Sequence, residues 1–503
     1  MSENLFDRLR AGFPRDPGKP ALVFPEGGAQ SYAELLARSG QMARALTDAG
    51  LSAGDRVAVQ VEKCPDFLAL YLGCLRAGTP LVPINPSCTV AEVAYYVRDS
   101  GTALLLGAPE RIAALEAASR EAGARRVETL DVDGTSGTFQ QRAAAAPPDF
   151  ESVAVSGADP LAAILYTSGT TGAPKGAMLT HANLIANTEA LHEAWGWRAD
   201  DVLLHALPLF HVHGLFVAAT AALGAGATML FLPRFDPSQV IELLPRATLF
   251  MGVPTMYHRL AADADLTPAV CESVRLFVSG SAPLSVADFN AFRQRTGHTI
   301  LERYGLTETG MNISNPLQGE RKPGKIGVPL PGVRVRLVDA EKGTDVAQGD
   351  VGEIWVRGPN VFAGYYHAPE KTAETFVDGW FRTGDLGRQD ADGYYEIVGR
   401  AKDLIISGGL NVYPAEVENA LGAIRGVEDC AVIGLPDPDW GERVTAVIIR
   451  ASGAELSADQ VMAEARTRLA PYKCPRRVEF AETLPRNAMG KVEKARLRTI
   501  YSS

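Results

Sequence analysis

Two rhythms of apolar and polar positions alternate through the first two-thirds of the chain. Short unbroken apolar runs bounded by Gly, Pro or Asp read as buried strands, and apolar positions three or four apart read as helices. Ser31-Tyr32-Ala33-Glu34 has the S-x-x-E form of a capping box and opens a helix carrying Leu35, Leu36, Met42 and Leu46, closed at Gly50. A strand at 56–61, a helix at 65–77 and a strand at 80–84 follow. Further on, a strand at 161–166 runs into a polar, Gly-rich loop, and Thr180 can cap the helix after it. Then come a strand at 202–207, a small-residue helix at 215–223 and a strand at 227–232. Asp236-Pro237 opens a helix reaching Leu244, and strands at 248–253 and 274–278 complete the series. Strands alternating with helices imply parallel βαβ units and an α/β fold. Ligands in such sheets lie beyond the carboxyl ends of strands, where the loops at Thr167, Pro208, Gly252 and Ser279 fall.

The pattern then changes twice. Residues 333–398 read as short strands with turns, as in Val351-Gly352-Glu353-Ile354-Trp355-Val356, and after Asp403 a helix at 414–421, strands at 427–433 and 445–449 and a helix at 457–469 follow. The expected architecture is a large N-terminal domain, 1–400, of parallel βαβ sheets plus a small β-rich portion, and a small mobile α+β C-terminal domain, 401–503. Lys402, within Arg400-Ala401-Lys402-Asp403, is the expected hinge. The polar, Ala- and Pro-rich stretch 135–156 reads as a surface connection.

At 503 residues the chain exceeds one ordinary core. Lys+Arg 49 against Asp+Glu 59 leaves a net charge of -10, which argues against a nucleic-acid partner. It does not exclude anionic small ligands held by a few cations in a cleft. Six cysteines (Cys64, Cys74, Cys88, Cys271, Cys430, Cys474) lack metal-type spacing and C-x-x-C pairing, as in a reduced, cytoplasmic protein. Met1-Ser2-Glu3-Asn4-Leu5-Phe6 lacks a secretory h-region, and no apolar run approaches a membrane span. A cytoplasmic enzyme with no membrane partner is expected.

The strongest chemical signal is Tyr166-Thr167-Ser168-Gly169-Thr170-Thr171-Gly172-Ala173-Pro174-Lys175-Gly176. Backbone N–H groups and hydroxyls in such a loop can surround phosphate oxygens without steric cost. It is not a Walker A loop, because Pro174 stands where the second Gly belongs and Gly176 where the Ser/Thr belongs. The string resembles the signature loop of adenylate-forming enzymes, which include acyl-CoA synthetases, luciferases and peptide-synthetase adenylation domains. In the same order, Tyr304-Gly305-Leu306-Thr307-Glu308 resembles their Y-G-x-T-E segment, Thr383-Gly384-Asp385 their T-G-D, and Gly399-Arg400-Ala401-Lys402-Asp403 their G-R-x-x-D. Pro485-Arg486-Asn487-Ala488-Met489-Gly490-Lys491 resembles P-x-x-x-x-G-K.

The resemblance implies an ATP-dependent ligase that makes an acyl-AMP and passes the acyl group to coenzyme A. Thr167, Ser168, Gly169, Thr170, Thr171, Gly172 and Lys175 would then cradle phosphates, and Glu308 would hold Mg2+, which prefers oxygen ligands. Thr307 would bond the α-phosphate region and Asp385, beside Arg400, both ribose hydroxyls. Gly280-Ser281-Ala282 and Glu302-Arg303-Tyr304 would wall the adenine. Lys491 would bridge the carboxylate and the α-phosphate as a compact charge. Taken singly, Glu308 and Asp385 read as solvated loop carboxylates and Lys491 as a solvent-facing lysine near the tail; motif context lifts all three. Rotation about Lys402 would swap Lys491 for Ser407-Gly408-Gly409-Leu410-Asn411 between the two half-reactions. Lys491 is also a candidate target of a protein lysine acyltransferase.

For the acid, Phe210-His211-Val212-His213-Gly214, Val253-Pro254-Thr255-Met256-Tyr257-His258-Arg259 and Met311-Asn312-Ile313-Ser314-Asn315-Pro316 together resemble malonyl-CoA synthetases. An arginine in an apolar acyl pocket is costly unless paired with an anion. The resemblance therefore implies malonate, with Arg259 on its distal carboxylate and His211, His213, Ser279 and Met311 lining the pocket. Gly310 stands where malonate enzymes carry a larger residue, which would admit methylmalonate. A surface salt bridge for Arg259 and a structural role for His213 stay open. So do a ligase for another short, medium-chain or aromatic acid, an enzyme loading a carrier protein, and a nucleotide-sensing protein of the same fold.

Overall fold

Strand side chains alternate between two cores throughout the first half of the chain. The computed structural model describes residues 4–152, 160–167, 174–487 and 490–502. In strand Val202–His205, Leu203 enters one cluster and Leu204 another; strands Leu249–Gly252 and Leu276–Ser279 divide Met251 from Phe250 and Val278 from Phe277 in the same way. In strand Arg56–Gln60, Val57 and Val59 share that first cluster while Ala58 enters a third. Burial on both faces explains the near-continuous apolar runs and demands helices on each side of a parallel sheet.

Two such sheets form. In one, Arg126–Thr129, Thr102–Gly107, Arg56–Gln60, Leu81–Pro83 and Leu161–Thr167 run parallel, with Lys175–Thr180 antiparallel at the edge. In the other, Pro20–Val23, Thr228–Phe231, Val202–His205, Leu249–Gly252, Leu276–Ser279 and Leu301–Leu306 run parallel and antiparallel strands flank them. The helix Pro65–Ala77 is buried from Asp66 to Ala77, so it has no solvent face. Its one acid, Asp66, is met by both Arg38 Nε (2.8 Å) and a second Arg38 nitrogen (2.7 Å), and by Gln140 (2.7 Å). A buried carboxylate requires that pairing.

A third sheet holds Arg334–Asp339, Gly352–Arg357, Trp380–Gln389 and Tyr395–Arg400. The smaller C-terminal domain follows. Strands Ile405–Ser407, Leu410–Val412, Val427–Asp437, Gly441–Arg450 and Arg477–Phe480 and helices Pro414–Gly422 and Ala458–Arg468 close over Ile405, Val417, Val432, Ala446 and Val461. The molecule is thus an α/β large domain with a separate, smaller α+β domain. No described helix is long and apolar enough to cross a membrane.

Three segments depart from the sequence expectation. The Gly-rich loop does not lead directly into a helix; Lys175–Thr180 returns antiparallel, with Thr167 opposite Lys175, before Thr180 caps the helix His181–Trp195. The stretch read as a surface connection contains the helix Thr138–Ala144, whose Phe139 and Ala143 are buried one turn apart. Residues 215–223 lie within a π-helix, His213–Ala219, followed by the α-helix Thr220–Gly224.

Candidate active site

The carboxyl ends of the parallel strands and the C-terminal domain enclose one polar locus. Thr167 ends a strand and its hydroxyl lies 3.5 Å from the Lys175 carbonyl oxygen. Tyr166 donates to Asp99 at 2.6 Å and Tyr95 to the Pro174 carbonyl at 2.7 Å, so both stems of the loop are anchored. Ser168, Gly169, Thr170, Thr171 and Gly172 lie outside the described residues. Thr307, half-buried, and Glu308, buried, form the turn after strand Leu301–Leu306. Burial raises the Glu308 carboxyl above the usual range, and Tyr365 Oη donates to its Oε1 at 2.9 Å. Asp385 accepts from Tyr304 Oη at 2.6 Å on one oxygen and meets Arg400 Nε at 2.6 Å on the other.

Lys491 reaches this locus from the C-terminal domain. Burial, then the Arg400 guanidinium, push its ammonium from 10.5 down to about 8, with Asp385 opposing. A tight turn presents it: Asn487 N–H donates to the Lys491 carbonyl at 2.9 Å, and Asn487 Oδ1 accepts from Lys491 N–H at 3.0 Å. Gly490 in that turn has φ +74°, and a Cβ there would lie 3.1 Å from Thr255 Oγ1 of the large domain. The positive φ favours glycine there, and any side chain would have to push Thr255 aside by a few tenths of an ångström. Lys402, exposed in the turn Ala401–Asp403, connects the two domains. Its neighbour Asp403 pairs with Arg498 at 2.9 Å.

Around the first strand ends of the second sheet the polar groups are of another kind. Arg303 is 3% exposed, and its Nε and one terminal nitrogen have no hydrogen-bond partner among the described residues. Burial brings the guanidinium down to about 9, still charged at neutral pH. It lies flat against Gly280, where a Cβ would sit 2.3 Å from Arg303 Cζ. His211 and His213 face it. Burial first and Arg303 second lower both imidazoles, His211 to about 4, so both are neutral. Buried His213 Nε2 and Ser279 Oγ are also without partners among the described residues, while His213 Nδ1 lies 3.2 Å from Ser281 Oγ. Ser281 holds φ +71°, an uncommon strained conformation at a site. Ala282 is half-buried beside it. Glu302 points away, accepting from Leu284 N–H at 3.0 Å, and burial lifts its carboxyl to about 8. Buried Met311 is held through its backbone by Asn187 (3.2 and 3.0 Å). Gly310 leaves room for that contact, since a Cβ there would lie 2.5 Å from Asn187 Oδ1.

Arg259 is not brought to this pocket. It is exposed near the end of helix Pro254–Ala262, with its guanidinium 5.4 Å from the centre of the Phe235 ring. The helix turns Tyr257 and Leu260 inward and leaves Arg259 outside. The arginine that is buried here is Arg303, which the resemblance assigned to the adenine wall. Two further groups carry no sequence signal. Lys63 Nζ, fully buried, lies 2.7 Å from both Nδ1 and the carbonyl oxygen of His205. His205 Nε2 donates to the Gly214 carbonyl at 2.9 Å, which fixes its tautomer and ties down the π-helix carrying His213. π-Helices recur at functional sites. Tyr365 is the second unforeseen group.

Residues 9–366 match the family described as AMP-binding enzyme, and residues 416–491 the AMP-binding enzyme C-terminal domain. A feruloyl-CoA synthase of Amycolatopsis sp is 40% identical, with 94% of each chain covered. The mitochondrial malonate–CoA ligase ACSF3 of Mus musculus is 39% identical, covering 97% of this chain and 89% of the relative. Among solved structures, ATP-bound MatB from Rhodopseudomonas palustris superposes with TM-score 0.97 at 48% identity, covering 100% of this chain and 99% of that one. Apo MatB gives 0.87 at the same identity and coverage. Equal identity makes that difference one of arrangement, and this chain is closer to the ATP-bound one.

Proposed function

The chain belongs to the AMP-binding enzyme family and is an AMP-forming acyl-CoA synthetase, and on that premise we propose that its acid is malonate. The carrying observation is Arg303, a buried guanidinium with open donors among neutral imidazoles. Leaving a buried charge unpaired costs about 3–5 kcal/mol, and a ligand carboxylate removes that cost through a planar fork of N–H donors. Malonate supplies one carboxylate for Arg303 and a second for the chemistry. His211, His213 and Ser279 complete the donor set. Ferulate is the second candidate, since a feruloyl-CoA synthase is 40% identical; as a monocarboxylate it leaves Arg303 without a counter-charge.

The ligase uses a small carboxylic acid, ATP and coenzyme A. In the proposed first step an oxygen of the proximal carboxylate attacks the α-phosphorus and pyrophosphate leaves, giving malonyl-AMP. Lys491 lies between the two anions as they converge, and Thr307 donates to the α-phosphate. Asp385, held by Tyr304 and Arg400, accepts the ribose hydroxyls, while Thr167 and Lys175 flank the phosphates. Glu308 is a buried carboxylate whose burial-raised carboxyl is countered by hydrogen bonds, among them that from Tyr365 Oη; as an oxygen ligand it would hold Mg2+, which when bound neutralises phosphate charge. In the second step the coenzyme A sulfur attacks the acyl carbonyl, its proton is lost, and AMP leaves. The division at 400/401, with Lys402 as hinge, lets Lys491 withdraw and Ser407 to Asn411 approach. A protein lysine acyltransferase acting on Lys491 would need that withdrawn state, because the amine is partly buried here.

Acyl-CoA formation across malonate, methylmalonate, butyrate, benzoate and ferulate tests the assignment. Malonate is expected to exceed each monocarboxylate at least about 100-fold in kcat/KM, the order set by one desolvated charge pair, with methylmalonate, which carries the same two carboxylates, also turned over. Ferulate or butyrate matching malonate contradicts it.

A further inference from the structure

We propose that Tyr365 is a positioning residue for adenylation, which sets the place of the Glu308 carboxylate relative to the Lys175 ammonium. The hydroxyl of Tyr365 donates to Glu308 Oε1 at 2.9 Å, and the face of the same ring lies 5.0 Å from Lys175 Nζ. In that pair the hydroxyl is the donor, because an ionised carboxylate can only accept. Tyr365 is 8% exposed and its ring packs edge-on against Phe362 with centroids 4.9 Å apart, which leaves it little freedom.

The backbone around Tyr365 makes the same connection. Phe362 N–H donates to the Glu308 carbonyl at 2.8 Å. On the other side, Ala363 N–H donates to Met178 O at 3.0 Å, Met178 N–H to Gly364 O at 3.0 Å, and Tyr366 N–H to Gly176 O at 2.8 Å. Residues 361–366 therefore strap the turn of Thr307 and Glu308 to the strand Lys175–Thr180 that leaves the phosphate loop. Gly364, at φ +124°, allows the strap to pass Thr372, against which a Cβ would lie 2.7 Å away. One rigid aromatic side chain thus spans the two elements that handle phosphate charge. A carboxylate held by a hydroxyl presents its second oxygen in a fixed direction, and a cation over a ring face is held without a competing anion.

This rests on Glu308 being the magnesium carboxylate, so the test separates the two. Binding of ATP to the full-length enzyme is measured by titration calorimetry, with Mg2+ varied and with EDTA, for wild type, Tyr365→Phe, Tyr365→Leu, Glu308→Gln and the Tyr365→Phe/Glu308→Gln pair. Tyr365→Phe should weaken MgATP binding roughly tenfold, the worth of a hydrogen bond to a charged group. It should raise the Mg2+ needed for half-saturation and leave metal-free ATP binding unchanged. Tyr365→Leu, which also removes the ring under Lys175, should weaken metal-free ATP binding as well. In the Glu308→Gln background, Tyr365→Phe should add nothing. If Glu308→Gln leaves the Mg2+ dependence unchanged, the metal assignment fails. If Glu308→Gln shifts it and Tyr365→Phe does not, or if Tyr365→Phe lowers thermal stability and weakens both forms of ATP equally, the positioning role is overturned.

Discussion

Lys491 has a depressed ammonium because it is buried beside Arg400, and in its proposed role this sets a pH limit on the first half-reaction. Its pKa of about 8, against 10.5 in water, means that the charged form is lost as pH rises through about 8. Pyrophosphate release at limiting acid and ATP should therefore fall above that pH, since kcat/KM follows the free enzyme's groups. Lys491→Arg, always charged, should have a lower rate and lack that falling limb. An unchanged limb in the variant would assign it elsewhere. For closure of the free enzyme the sign is the reverse: the open state binds more protons between about 8 and 10.5, so the inserted arrangement gains stability as pH rises through that window. Residue types were legible here; their placement was less so. Motif strings single out Lys491, Glu308 and Asp385, and the structure brings Lys491 and Glu308 within electrostatic reach of Arg400, with which Asp385 pairs. That Arg303 and not Arg259 is buried depends on Gly280, at the end of the neighbouring strand, having no side chain. A contact between strands distant in sequence leaves no local trace.

Elements with a strong period or cap were readable. The capping box at Ser31 and Glu34 forms as written, and Pro65–Ala77 keeps its predicted bounds. The strand Lys175–Thr180 was not, because Lys175 and Gly176 interrupt its apolar pattern, and the π-helix was not, because its distinguishing feature is one extra residue per turn. Its anchor, the Lys63–His205–Gly214 chain, joins three segments. Lys63→Met should leave one buried acceptor, His205 Nδ1, unpaired at about 1–3 kcal/mol, since the His205 carbonyl keeps the Leu232 N–H at 3.1 Å. The expected results are a lower thermal midpoint and a KM for the acid raised roughly tenfold, for about 1.4 kcal/mol of lost positioning. The KM for ATP should stay unchanged. Equal changes in both KM values would show that the chain does not act through the acyl pocket.

At the scale of the molecule, two parallel sheets bring their strand ends to one locus and the small domain supplies the last cation. His258 of the large domain, paired with Asp288 at 2.8 Å, also faces Glu428 and Asp429 of the small domain, which raise its imidazole after Asp288 does. The α/β character and the change of texture near residue 400 follow from hydrophobic pattern alone. The arrangement of the domains does not, because it depends on such sparse polar contacts and not on a continuous apolar core. The proposed choice of acid rests deeper, on Arg303, a buried guanidinium with nitrogens that have no partner among the described residues. The most direct measurement is malonate-dependent AMP formation by Arg303→Met and Arg259→Ala beside the wild type. Loss of a desolvated charge partner predicts a fall of about 2–5 kcal/mol, or roughly 30- to several-thousand-fold in kcat/KM, for Arg303→Met, with butyrate turnover kept, and less than about threefold for exposed Arg259→Ala. Malonate turnover that survives Arg303→Met, or collapses only in Arg259→Ala, contradicts the account.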